Sequence, residues 1–324
     1  MDAVIKVSCL SKSFSQRKDL PGIKGALKSL FLKPTSYHAI KEISFTVSQG
    51  ERVAFIGPNG AGKSTTIKML TGILHPDSGS IEVLNLVPSK QRHSLGFKIG
   101  TVFGQRSSLS YFLPPKDTFH LLSKIYEIPA PIYKKQLSEL SEIFEIRPFI
   151  DKPVRQLSLG ERMRCELVAS LLHKPDILFL DEPTIGLDIN AKLKIRGHLN
   201  TLSKETKTTL FLTSHDTADI ENVCNRVIIL DKGRIILDTS LKQLKKAAVK
   251  KKILSITTDQ EKLNLDLPYT KVIDNKEYNF LCEIDLTKTT TEKIIHEVLK
   301  CRGIKDITIE DPSLEEIIRD LYHG

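Results

Sequence analysis

The stretch Gly57-Pro-Asn-Gly-Ala-Gly-Lys-Ser64 constrains what this chain can fold into more than any other part of it. An apolar run over residues 53–56 precedes it, and residues 63–73 follow with Ile67, Leu70, Ile73 and Leu74 at helical spacing before Pro76. The order is strand, glycine loop, helix. The pattern G-x-x-x-x-G-K-[ST] lets backbone N–H groups curl around phosphate oxygens, because glycines accept the conformations and the close approach that the curl requires. Lys63 adds a cation, Ser64 offers a hydroxyl to Mg²⁺, and the helix that starts here points its positive end at the anion. A plain glycine turn is the bland alternative, and the strand-to-helix setting argues against it.

A second apolar run, Ile177-Leu-Phe-Leu180, ends in Asp181-Glu182. At the end of a buried parallel strand a carboxylate lies beside the phosphate loop, so Asp181 is placed to hold Mg²⁺ and Glu182 to orient or deprotonate water. Runs over 209–212 and 227–230 follow helical stretches, which predicts an α/β fold with a largely parallel sheet covered on both faces. Residues 106–172 read as mainly helical, with Phe119, Leu122, Ile125, Leu137, Leu140 and Phe144 at helical spacing, and form a subdomain inserted into the sheet domain. The first domain therefore runs over 1–240. The lysine-rich segment 241–252 reads as an exposed linker helix, and 253–324 as a small α+β domain.

The remaining features exclude other classes. The five cysteines, Cys9, Cys165, Cys224, Cys282 and Cys301, are widely spaced with no Cys-x-x-Cys pair, so neither a disulfide framework nor a zinc site is expected. No apolar run approaches the roughly 18 residues that span a bilayer, and the N-terminus lacks the pattern of a signal peptide, so a cytoplasmic protein is expected. Net charge is +9, compatible with nucleotides, nucleic acid or an anionic membrane face. Residues 12–33 carry Lys12, Arg17, Lys18, Lys24, Lys28 and Lys33, with Leu27, Leu30 and Phe31 at the spacing of a short amphipathic helix.

Further along the chain come Gln105, Leu157-Ser-Leu-Gly-Glu161, Gly186-Leu-Asp188 and Thr213-Ser-His-Asp216. Taken alone, Gln105 is a polar loop residue, Ser158 a helix N-cap and His215 a structural histidine. Together, in this order after the phosphate loop and before or after Asp181-Glu182, they resemble the nucleotide-binding subunits of ABC transporters over about residues 1–240. The chain then resembles a P-loop NTPase of the ABC ATPase fold with an inserted helical subdomain. Residues 57–65 match the family's Walker A, 177–182 its Walker B with the adjoining glutamate, Gln105 its Q-loop, Asp188 its D-loop and His215 its switch histidine. The signature departs from the usual Leu-Ser-Gly-Gly-Gln at Leu159 and Glu161 but retains Ser158 and Gly160.

The resemblance implies ATP and Mg²⁺ as cofactors and ATP hydrolysis as the activity. It places Gly57, Pro58, Asn59, Gly60, Ala61, Gly62, Lys63, Ser64 and Thr65 around the phosphates, and Ser64, Gln105 and Asp181 at the metal. Glu182 handles the attacking water, while Lys63, His215 and Gln105 face the phosphoryl group. Adenine stacks on Phe14 or Tyr37, with Tyr37 preferred. Ser158, Gly160 and Asp188 complete the site of a second copy, which implies a homodimer. Asp181-Glu-Pro-Thr-Ile-Gly-Leu-Asp188 and the tail over 310–318 resemble ATPases that drive a separate multi-span permease of exporter type, at the cytoplasmic face of the membrane. An importer ATPase is the near alternative. A soluble member acting on nucleic acid or the ribosome is the distant one: one cassette, no long coiled coil and no aromatics among the basic clusters argue against it. The lysine run reads as a solvated face, with attraction to anionic lipid headgroups as its functional alternative.

Overall fold

The computed structural model describes residues 2–16, 35–104, 107–248, 251–261, 265 and 267–323. The basic segment over 17–33 with its expected amphipathic helix, and Gln105, lie outside the described residues. Two compact units are seen, Met1–Thr239 and Ser240–Gly324.

In the first unit, β1 (Ala3–Gln16) and β2 (Thr35–Ser48) are long antiparallel partners, and β1 also pairs with β4 (Ser78–Val83). The two opening strands thus extend well beyond the short apolar runs that signal them, because register shifts along the pair let polar stretches continue it. A second sheet has six strands. It contains β3 (Arg52–Ile56), β5 (Ile99–Phe103), β6 (Ile177–Asp181), β7 (Thr209–Thr213), β8 (Arg226–Asp231) and β9 (Arg234–Ser240), in the order β5-β6-β7-β3-β8-β9. The pairs β5/β6, β6/β7, β7/β3 and β3/β8 are parallel. Their near-continuous burial explains why these strands read as unbroken apolar runs rather than alternations.

The two sheets share one core. Phe45 of β2 meets Phe55 of β3 at 5.6 Å between ring centroids, and Phe55 meets Phe211 of β7 at 5.1 Å. Full burial of a phenylalanine contributes roughly 1.5–3 kcal/mol, so this trio anchors the centre of the unit. Helix α1 (Lys63–Leu70) buries Ile67, Met69 and Leu70 in the same cluster. Past α2 (Arg92–Gly96) lie the helices of the inserted region: α3 (Pro115–Ile125), α4 (Ala130–Ile143) and α5 (Leu159–Leu171). Helix α6 (Ile189–Glu205) follows β6, and α7 (Thr217–Val223) follows β7.

Parallel order has a direct consequence: β3, β6 and β7 end at the same edge of the sheet, where their following loops meet.

The second unit is a four-stranded antiparallel sheet, β11-β12-β10-β13, built from β10 (Lys251–Thr258), β11 (Thr270–Lys276), β12 (Asn279–Asp285) and β13 (Ile304–Glu310). Its core packs Leu254, Ile256, Phe280, Cys282 and Ile284 against Ile294 and Val298 of α9 (Thr291–Val298). The segment expected as a linker over 241–252 differs from that reading. Residues 241–248 are α8 (Leu241–Ala248), and Lys251 and Lys252 already belong to β10, so the second unit begins at Ser240 rather than 253. Nor is the run uniformly solvated: Lys251 pairs with Glu283 and Asp320, and Lys252 with Asp311. Strand β11 and helix α10 (Leu314–His323) have no counterpart in the reading from sequence; Val272 and Ile273 leave β11 without a regular alternation. Among the described residues no helix is long and apolar enough to cross a membrane.

Candidate nucleotide site

Strand β3 ends at Ile56 and the chain turns at once through Gly57, where an added Cβ would lie 2.9 Å from that of Ala61 and would also strike the Leu230 carbonyl. Gly62 closes the turn at φ +110°, with no room for a Cβ against Ile40 or, at 2.7 Å, the Ala39 carbonyl. Only glycine satisfies both demands. Helix α1 starts at the next residue with no side chain capping it. Lys63 is 6% exposed, and its ammonium donates to the carbonyls of Gly57 at 2.7 Å and Pro58 at 3.3 Å. Burial pushes its pKa below the usual lysine value, while Glu182 and Asp181 favour the charged form.

Asp181 ends β6 in register with Thr213 at the end of β7. Its Oδ1 accepts from Thr213 Oγ1 at 2.6 Å and from Ser64 Oγ at 3.2 Å. Glu182 follows with φ 55°, a strained conformation for a residue with a side chain. Its N–H is tied to the Thr213 carbonyl at 3.0 Å and hydroxyl at 3.1 Å. The Glu182 carboxylate stands 2.9 Å from His215 Nε2, and Lys63 Nζ stands 3.3 Å from the same nitrogen. With its proton on Nε2, His215 donates to Glu182; with Nε2 bare it accepts from Lys63.

Lys63, Ser64, Asp181, Glu182 and His215 line a cavity of about 550 Å³ with Asn59, Gly60, Gly62, Thr65, Lys68 and Ile73. Phe14 and Tyr37 both line it, and they are directly opposite one another on β1 and β2. The sequence separates these aromatics by a long insertion; the strand pairing places them side by side. The Tyr37 hydroxyl donates to the Gly60 carbonyl at 2.9 Å, and Lys12 Nζ sits 5.8 Å from the Phe14 ring centre.

Ser158, Gly160 and Asp188 do not line this cavity. Ser158 caps α5 in a reciprocal box with Glu161: the Glu161 amide donates to Ser158 Oγ at 3.2 Å, and the Ser158 amide to Glu161 Oε2 at 2.8 Å. An added Cβ on Gly160 would come within 2.8 Å of the Ala191 Cβ, so α5 and α6 approach closely there. Asp188 caps α6, accepting from the Ala191 amide at 2.9 Å.

Reading the residues alone missed Thr213, which carries both Asp181 and the Glu182 backbone. Its signal is its place as the last residue of an apolar run parallel to residues 177–181.

A phosphate-cradling loop at the end of one parallel strand, with a carboxylate at the end of a nearby one, defines a P-loop nucleotide-binding protein. The donor set fits nucleotide with Mg²⁺: a buried ammonium held by backbone carbonyls, and a hydroxyl and a carboxylate 3.2 Å apart, which leaves coordination positions for phosphate and water oxygens. The family model "ABC transporter" matches residues 40–185. The chain is 32% identical over 206 residues to the ABC transporter ATP-binding protein NatA of Bacillus subtilis, covering 64% of this chain and 83% of that protein. It is 29% identical over 290 residues to the linearmycin resistance ATP-binding protein LnrL of the same organism, covering 87% of this chain and 93% of LnrL. Among solved structures, cbiO1 from Clostridium perfringens, part of the cbiONQ ABC transporter complex, aligns with a TM-score of 0.62 at 27% identity over 77% of this chain and 96% of that one. The chain belongs to the ATP-binding proteins of ABC transporters and is an ATPase of that family.

Proposed function

We propose that the protein hydrolyses Mg²⁺-bound ATP as a dimer of two copies and thereby drives a separate multi-span permease, of exporter type, at the cytoplasmic face of a membrane. One observation carries this reading. Lys63, Ser64, Asp181, Glu182 and His215 converge on one cavity, while Ser158, Gly160 and Asp188 lie outside its lining, a division that a second copy would complete. A solved ATP-binding cassette described as a dimer in a post-hydrolysis state, bound to ADP and Pi, shares the fold with a TM-score of 0.61 at 24% identity, over 73% of this chain and 98% of that one. Relatives named for Nod factor export and linearmycin resistance support the exporter reading.

Lys63 and the loop amides would hold the phosphates, and Ser64 and Asp181 would hold the metal. Bound Mg²⁺ supplies charge neutralisation at the phosphate oxygens. Glu182 orients water in line and receives its proton, and His215 stabilises charge on the phosphoryl oxygens. Tyr37, with Phe14 beside it, offers the adenine a stacking face. Loss of the γ-phosphate removes the group that joins the two copies, and the dimer opens.

Glu182→Gln tests the reading. ATP affinity is expected to stay near wild type, turnover to fall by about 100-fold or more, and a dimer to accumulate with ATP in gel filtration. Ordinary turnover in that variant, or a monomer at saturating ATP, overturns it. The permease is tested by solubilising membranes and identifying what copurifies; a nucleic acid in place of a multi-span protein favours the soluble alternative.

A further inference from the structure

We propose that Asp219 is a positioning residue that ties the loop carrying Glu182 to the loop carrying His215, and so sets the geometry in which water meets the γ-phosphate. The proposal rests on the roles given to Glu182 and His215 above.

Asp219 lies in the first turn of α7 and is 1% exposed. Its Oδ2 accepts two hydroxyls, Thr184 Oγ1 and, at 2.7 Å, Ser214 Oγ. Its Oδ1 accepts from Arg196 Nε of α6 at 2.6 Å. Thr184 stands two residues after Glu182, and Ser214 immediately precedes His215. One oxygen atom therefore holds both catalytic loops, and the other holds α6, the helix that Asp188 caps. The residue on the far side of His215 belongs to the same cluster. Asp216 pairs with Arg196 Nη2 at 2.8 Å and Lys192 Nζ at 2.8 Å, and its amide donates to Ser214 Oγ at 3.0 Å.

A carboxylate out of water is tolerated only with its acceptor sites filled and a cation beside it. Here the fillers are the two loops themselves. Neither loop can shift away from the other without leaving the buried charge short of a partner. The 2.9 Å approach of Glu182 to His215 on the cavity side is thus braced from behind. Asp219 touches neither the cavity nor the reacting atoms, so its influence falls on orientation rather than on nucleotide binding.

The test uses the full chain, with steady-state ATPase assays and direct titration of a fluorescent ATP analogue. For Asp219→Ala, kcat is expected to fall by about 100-fold while nucleotide affinity stays within about threefold of wild type. Asp219→Asn is expected to recover kcat to within about tenfold of wild type. Its amide oxygen accepts from Arg196, and its amide hydrogens donate to Thr184 and Ser214, whose hydroxyls also accept. Thr184→Val and Ser214→Ala each cut one tie and keep the Arg196 pair. Each is expected to lower kcat by about tenfold, and the double variant by clearly less than the product, because one severed tie already frees the loops. The proposal is overturned if Asp219→Ala keeps its kcat, if affinity falls in parallel with kcat, if Asp219→Asn is as impaired as Asp219→Ala, or if the two hydroxyl deletions are harmless or multiply. Should Asp219→Ala fail to fold, the hydroxyl deletions decide alone. Glu182→Gln separates the two levels. If it turns over normally, the catalytic reading fails and this proposal with it; if it is inactive while every Asp219-site variant is active, only this proposal fails.

Discussion

Helix α1 begins at Lys63 after Gly62 with no side chain capping it, whereas α5 begins after Ser158 inside a closed capping box with Glu161. Both are helix starts of one unit with a glycine beside them, Gly62 just before α1 and Gly160 in the first turn of α5. The first turn of α1 adds a buried ammonium and keeps its positive pole for an external anion. The first turn of α5 is satisfied internally and carries its own negative charge. The difference teaches that one helix start of this chain leaves its positive pole open to an external anion, whereas the other is already satisfied by the chain's own Ser158 and Glu161.

The largest expected effect breaks the α1 side. Lys63→Ala removes a charged group that would make charge-assisted bonds of roughly 1.5–3 kcal/mol each to phosphate oxygens, so ATP affinity should fall by about 100-fold or more. A fluorescent nucleotide titration checks this, and wild-type affinity would erase the contrast. Ser158→Ala strikes the other side. Helix α5 should lose about 1 kcal/mol of capping stability. ATP binding by the monomer should be unchanged, and ATP-driven dimerisation, measured in the Glu182→Gln background, should weaken by about tenfold. Loss of monomer binding would show that α5 serves its own chain's site. Glu161→Gln is gentler. The amide oxygen still accepts from the Ser158 amide while the charge is gone, so the dimer should tighten by about threefold, with roughly 0.3–1 kcal/mol lost from the helix start. A weaker dimer would mean that the carboxylate assists the encounter.

The smallest effect is a pH dependence that belongs to neither helix start. Burial lowers the pKa of His173, stacked on Tyr126 at 3.9 Å, and of His198, from the ordinary 6.5. Below that value the unfolded chain binds more protons than the folded one, so stability is complete above pH 6.5 and declines as pH falls through the depressed values. His173→Gln should flatten the loss of Tm between about pH 6.5 and 5.5. The carboxylates with lowered values, Asp216 and Glu145 among them, act in a more acidic window. An unchanged slope would assign the acid sensitivity elsewhere.

Much of the site was legible because its chemistry is written in consecutive residues. Gly57 through Ser64 specify a loop, a cation and a hydroxyl in one stretch, and Asp181-Glu182 terminate a recognisable apolar run. Thr213, Asp219 and Arg196 were not legible, since a threonine ending a strand, an aspartate in a short helix and an arginine in a long one have no local pattern that marks them. Their meaning comes from the register of β6 against β7 and from α6 meeting α7. The C-terminal unit shows the same division. The apolar alternations of β10 and β12 signalled strands, but the lysines that suggested a solvated linker are partly drawn into the sheet by Glu283, Asp311 and Asp320.

By itself the sequence determined what neighbouring atoms dictate: where only glycine fits the backbone, which helix starts carry a hydroxyl cap or an ammonium, and which runs must be buried. The tertiary structure alone decided that Phe14 faces Tyr37, that Thr213 carries Asp181, and that one buried carboxylate ties the loop of Glu182 to the loop of His215. The reason is physical. Contacts between distant segments are set by strand register and helix packing, which minimise exposed apolar area and unpaired buried polar groups over the whole unit at once, and no single stretch of chain contains that sum.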